Sequence, residues 1–182
     1  SGALANQIGE GAPADVAAFA DTTPMTALED RELLAGAPKV FAKNQLVIVT
    51  EPGNPEDITG LADLATAGVI SLCVDTAPCG KFADQILDDA GVTIPGTSVS
   101  RGTDARATLT AVSEGDAVAA IVYATDATAA GDRVEAVDLP AAGNVTASYP
   151  IAVLEDAANP DLAAALRSYV PAEDGQAVLR DA

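Results

Sequence analysis

The sequence predicts an α/β fold with mainly parallel sheets. Short apolar runs rich in Val, Ile or Ala recur along the chain, amphipathic stretches of roughly ten residues alternate with them, and glycines close most of those stretches. At 182 residues the chain can hold one large domain or two small ones.

Taken in order, "SGALANQIGEGAPADV" reads as a helix that Ser1 can cap, with Leu4 and Ile8 one turn apart and Gly11 and Pro13 as its stop. "ADVAAFA" (residues 14–20) suits a short buried strand, and "MTALEDRELL" from Met25 a helix. "LVIVT" (46–50) is a β-branched strand ended by Pro52, Gly53 and Pro55. "EDITGLADLATAG" predicts a helix stopped by Gly68, "VISLCV" a strand, and "CGKFADQILDDAG" a helix burying Phe82, Ile86 and Leu87 and stopped by Gly91. "TSVSRG" predicts a short strand, "TDARATLTAVSEG" a helix capped by Thr103 or Asp104, and "AVAAIVYATDA" begins as a buried strand. "RVEAVDLP" and "SYPIAVLED" add two strands, and "NPDLAAALRSYV" and "EDGQAVLRDA" two closing helices. The βα units thus fall into two clusters, one in the middle of the chain and one shared by its ends.

Composition narrows the function. Apolar residues make up 49% but aromatics only 3%, so the core is built of Ala, Val, Leu and Ile. With 27 acidic and 9 basic residues the formal charge is −18, which argues against nucleic acid or an anionic membrane as partner. No apolar run reaches the roughly 18 residues of a membrane span, so no direct membrane insertion is expected. The chain has no histidine and no G-x-S-x-G elbow, which removes the commonest hydrolase arrangements and the commonest metal ligand. No enzyme activity, metal site or cofactor is expected. Cys73 and Cys79, in "CVDTAPC", lack the spacing of redox or zinc motifs. They suit a small disulfide loop in an oxidising compartment; two buried thiols are the alternative.

Open α/β sheets bind ligands at the carboxyl ends of their strands, where helix N-termini present bare N–H groups. Three turns have that form: "DTAPCG", where Gly80 lets backbone come close, "GTDARA", and Ser1-Gly2-Ala3. They share small, mostly uncharged side chains and exposed amides, which suit a small anion held by partial charges.

"SGALANQIGEGAPADV", "FAKNQLVIV", "PCGKFADQIL", "DARATLTAV", "AAIVYATDA" and "SYPIAVLED" resemble, in this order, segments of the molybdate-binding proteins that serve ABC importers. The similarity runs over essentially the whole chain, and "GAPADV" and "IVYATDA" are its most specific parts. The resemblance implies a two-domain, type II periplasmic-binding-protein-like fold with a two-segment hinge and a molybdate or tungstate ion in the cleft. It implies an extracytoplasmic setting, periplasmic or as a cell-surface lipoprotein, and an ABC transporter permease as partner. Carried over by resemblance, the oxyanion ligands are the Ser1 hydroxyl, the backbone amides of Cys79 and Ala105, and the Tyr123 hydroxyl. Arg106 is expected to be structural or on the cleft rim, and Tyr149 and Tyr169 to be packing residues. The expected domains are 1–44 with 126–182, and 45–125, with hinge segments near Lys43 to Leu46 and Ala124 to Asp126.

Members of that family carry an earlier strand, serine-bearing loop, helix and second strand. By that comparison the first βαβ segment of domain 1 is expected to be missing here, which would expose interior strand edges. The end-built domain is then expected to be unstable, domain-swapped, or completed by another chain. Three rival readings stand beside molybdate or tungstate capture: binding of sulfate or phosphate, an enzyme using Ser1, Cys79 or paired acids on the same fold, and a fragment that binds nothing.

Overall fold

The computed structural model describes residues 1–181. The chain forms two compact units, Ser1–Lys43 with Ala147–Ala182, and Asn44–Thr146. It passes from one to the other inside β2 (Lys39–Thr50) and again at the start of β7 (Thr146–Val153).

In the end-built unit, α1 (Gly2–Gly9) leads to β1 (Val16–Ala18), which pairs antiparallel with β7. α2 (Thr22–Glu29) begins earlier than expected because Asp21 caps it, its carboxylate accepting the Thr23 N–H at 3.0 Å. Ala5, Ala17, Phe19, Met25, Leu28, Ala152 and Leu154 form the core. Leu4 is 55% exposed, so α1 packs through Ala5 and, partly, Ile8 rather than through the Leu4–Ile8 stripe. α6 (Pro160–Tyr169) and α7 (Glu173–Asp181) complete the unit. Tyr149 packs its ring 6.3 Å from that of Phe41, whereas Tyr169 is half exposed and is not the packing residue expected.

The middle unit holds β3 (Ile70–Cys73), α3 (Pro78–Asp89), β4 (Val99–Gly102), α4 (Ala105–Ser113), β5 (Ala119–Tyr123), α5 (Ala124–Ala130) and β6 (Glu135–Asp138). β3 runs parallel to both β4 and β5. β2 lies antiparallel to β5 and to β6, so the unit's sheet is mixed rather than mainly parallel. Every residue of β3 and β5 is buried, as expected of strands covered on both faces. Val47, Val49, Ala120 and Val122 of the sheet pack against Leu109 and Val112 of α4 and Ala127 and Ala130 of α5.

Two expectations fail here, the first for a local reason and the second through pairings distant in the chain. Residues 56–68 hold only the 3-10 segment Leu61–Ala65 instead of a helix. Side chains there compete for the backbone: Asn54 bonds both the N–H and the carbonyl of Ile58, and Asp63 accepts the N–H groups of Thr59 and Gly60. The second crossing between units lies at residues 146–147 rather than near 124–126, because α5 packs in the core of the middle unit and β6 pairs with β2.

Candidate functional site

Three parallel neighbours, β4, β3 and β5, end along one edge of the middle unit's sheet. Cys73 pairs with Gly102, and Ile70 with Ala119. Extending these registers places Thr103, Val74 and Tyr123 in one row, at the usual strand spacing of about 4.8 Å. Each strand passes almost at once into a helix, so three helix starts gather at this edge.

The turn after β3 is tightly built. A disulfide joins Cys73, the last residue of β3, to Cys79 in the first turn of α3. Pro78 opens that helix, where its missing N–H costs nothing. The N–H groups of Gly80 and Lys81 both reach the Ala77 carbonyl at 3.1 Å. The amide of Cys79, one of the first four of the helix, has no intrahelical acceptor. Gly80 is demanded by close approach: a Cβ there would stand 2.1 Å from the Val74 carbonyl oxygen. The Arg101 guanidinium fastens the turn from outside, donating to the Cys73 carbonyl at 2.7 Å and to Asp84 of α3 at 3.1 Å.

The turn after β4 follows the same logic. Asp104 caps α4 by accepting the Ala107 N–H at 2.8 Å, and its carbonyl takes the Thr108 N–H at 3.0 Å. The amides of Ala105 and Arg106 have no intrahelical acceptor. The Thr108 hydroxyl, fully buried, donates to the Asp104 carbonyl at 2.8 Å and lies 3.4 Å from the Cys73 sulfur, linking the two turns. Gly102 again allows the contact, since a Cβ there would meet Thr108 Oγ1 at 2.5 Å.

Tyr123 ends β5, is 8% exposed, and stands at the cap position of α5. Its backbone N–H donates to the carboxyl of Asp126, in the first turn of that helix. Burial pushes the Asp126 carboxyl above its usual range; the Tyr123 N–H and the Arg106 charge oppose that shift, and Asp104 adds to it. Asp126, Arg106 and Arg133 share a cavity of about 100 Å³ beside α4 and α5. Arg106 thus lines the same cavity as Asp126, and its charge acts on that carboxyl.

Ser1 belongs to the end-built unit. It precedes α1 without capping it through its side chain; its Oγ instead accepts the Ala20 N–H at 3.1 Å, joining the starts of α1 and α2. Of the four residues singled out by resemblance, Cys79, Ala105 and Tyr123 share one sheet edge of one unit, and Ser1 lies in the other. Sequence reasoning missed Asp126 and Arg101. The spacing of a cap residue and an acid three positions on, Tyr123 and Asp126, was the available signal for the first. Among the described residues no cluster of three or more acidic or cysteine side chains could hold a metal ion, and no helix is long and apolar enough to cross a membrane.

Known proteins agree with this architecture. The family model for bacterial extracellular solute-binding proteins matches residues 1–182. The molybdate-binding protein ModA of Mycobacterium tuberculosis, like that of Mycobacterium bovis, is 38% identical over 180 residues, spanning 98% of this chain and 68% of the relative. Among solved structures, the periplasmic molybdate-binding protein of Azotobacter vinelandii superposes with a TM-score of 0.85 at 20% identity, covering 99% of this chain and 81% of that one. The sulfate-binding protein SubI of Mycobacterium tuberculosis gives 0.81 at 19% identity, covering 97% and 70%. These two likenesses establish the α/β fold of the type II periplasmic binding proteins and leave the choice of anion open. A family model matched from end to end, and relatives 38% identical across nearly the whole chain, make this protein a member of the bacterial extracellular solute-binding proteins, in the ModA family.

Proposed function

We propose that the chain captures molybdate or tungstate outside the cytoplasm and delivers it to an ABC importer, with no chemical step of its own. The donors in this reading are the amides of Cys79 and Ala105 and the Tyr123 hydroxyl from the middle unit, and the Ser1 hydroxyl from the end-built one. The observation that carries it is the row of parallel strand ends, where two helix starts hold amides without intrahelical acceptors beside Tyr123.

A dianion and a protein of formal charge −18 repel at long range, yet contact forces decide the outcome. Charges beyond about 8 Å are screened at physiological salt, while amide and hydroxyl dipoles act at contact in a site from which water is excluded. A donor set fixed by a disulfide, two close-approach glycines and a capping aspartate loses little freedom on binding. It also selects, because a smaller ion leaves donors unpaired at about 1–3 kcal/mol each. Sulfate and phosphate are thus expected to bind more weakly.

In the end-built unit, Leu162 and Leu166 of α6 and Val178 of α7 are exposed to between 47% and 70%. This supports the further reading that additional polypeptide, from the same or another chain, covers that unit.

Thermal denaturation with each anion tests the binding reading. Molybdate and tungstate at 100 times their dissociation constants are expected to stabilise the protein by about 2.7 kcal/mol, and sulfate and phosphate at equal concentration by much less. Equal stabilisation by all four contradicts the selectivity, and none by any contradicts the binding.

A further inference from the structure

Asp126 is a carboxylic acid placed where an anion site would least be expected to carry one. It sits in the first turn of α5, and its carboxyl accepts the backbone N–H of Tyr123, the residue that ends β5. Its Oδ2 is buried and has no hydrogen-bond partner. Across a cavity of about 100 Å³ it faces Arg106, the second residue of α4, and Arg133, which follows α5; Leu109, Ala129 and Ala130 form the apolar walls. Arg133 is partly committed elsewhere, its Nε donating to the Ala130 carbonyl at 3.2 Å. Asp104, at the cap of α4, is the other charge that acts on Asp126.

Arg106 directly follows Ala105, whose amide is a proposed donor, and the Tyr123 backbone carries another. One carboxyl therefore bonds to the backbone under the phenol and faces the guanidinium attached to the neighbouring helix start. A cavity of this size has room for water, which can bridge Oδ2 to Arg106 without a direct ion pair.

We propose that Asp126 is a positioning residue of the anion site, holding the Tyr123 backbone directly and the first turn of α4 through Arg106, so that the phenol and the Ala105 amide keep one fixed spacing. The carboxyl itself does not touch the anion. This inference rests on the oxyanion reading above, and the experiment separates the two.

Molybdate affinity is measured by titration calorimetry on the wild-type chain, Asp126→Ala, Asp126→Asn, Tyr123→Phe and the double variant Asp126→Ala/Tyr123→Phe, each with a thermal melt. Asp126→Ala is expected to weaken binding roughly fivefold to tenfold, the value of one lost hydrogen bond. Asp126→Asn keeps an acceptor for the Tyr123 N–H and is expected to recover part of that loss; being nearly isosteric, it also serves if the alanine variant does not fold. In the Tyr123→Phe background the Asp126→Ala change is expected to cost clearly less than in wild type, a coupling that a purely structural role would not produce. Unchanged affinity in both Asp126 variants, or fully additive losses, overturns the positioning role while leaving the oxyanion reading intact. No loss in Tyr123→Phe, or no molybdate binding by wild type, overturns both.

Discussion

Gly80→Ala is the substitution whose consequence follows most directly from the geometry. The added methyl would lie 2.1 Å from the Val74 carbonyl oxygen and 2.9 Å from that of Cys73, both backbone atoms. Neither can easily retreat. Cys73 is paired to Gly102 in the sheet and bridged to Cys79, its carbonyl is held by Arg101, and the Val74 N–H is bonded to the Gly102 carbonyl at 2.8 Å. The helix start must therefore move by about 1 Å to reach a tolerable contact, at a cost of roughly 1–3 kcal/mol. For a chain of this size, a cost of about 2 kcal/mol lowers the melting temperature by about 4–8 °C. The same shift carries the Cys79 amide away from its target, stretching a hydrogen bond of about 2.9 Å to nearly 4 Å and abolishing it. A lost bond to a charged ligand is worth about 1.5–3 kcal/mol, so molybdate affinity is expected to fall roughly tenfold or more. Calorimetric melting and titration measure both effects, with Gly96→Ala as control because a Cβ there meets nothing within 4 Å. If Gly80→Ala melts and binds like Gly96→Ala, neither the close approach nor the role of the Cys79 amide is correct.

Other expectations are simpler. Tyr123→Phe removes one hydroxyl and keeps the ring, so molybdate affinity should fall roughly tenfold or more by titration calorimetry while the ligand-free melting temperature barely changes. Reducing the Cys73–Cys79 bridge, whose partners are six residues apart, frees a short loop in the unfolded chain and should cost about 2 kcal/mol, read as a lower melting temperature with reductant and two newly titratable thiols. Asp126 has a folded-state pKa raised above 3.8 by burial. Its stabilising contribution is therefore complete below the unfolded value and lost as pH rises through the folded one. Melts of Asp126→Asn against wild type should favour the variant more at pH 7 than at pH 3.5, and the opposite trend would contradict the assigned cause.

The elements most readable from sequence are those whose ends are marked by their own side chains. Asp104 announces α4, Pro78 and Gly91 bracket α3, and the apolar runs of β3 and β5 stand between them. The candidate site was readable in part for the same reason, since Gly80 and Gly102 both sit at strand-to-helix turns. α5 was not readable, because "ATDATAA" carries no large apolar stripe and its helical form depends on packing Ala127 and Ala130 into the middle core. The early start of β2 was hidden by Lys39, Lys43 and Asn44, whose polarity resembles a loop. Its antiparallel pairings with β5 and β6, which decide where the second crossing falls, join residues about 70 to 90 positions apart and leave no local trace. Conversely, the helix expected at residues 56–68 has acceptable local propensity and loses to the hydrogen bonds of Asn54 and Asp63.

The central claim is that neutral donors at the ends of β3, β4 and β5 hold a tetrahedral oxyanion. The most direct measurement is an anomalous difference map from crystals grown with tungstate. The account predicts one strong peak with oxygens in hydrogen-bond reach of the Cys79 and Ala105 amides and the Tyr123 hydroxyl. A peak held instead by lysine or arginine side chains, or one at any other edge of the molecule, would contradict it.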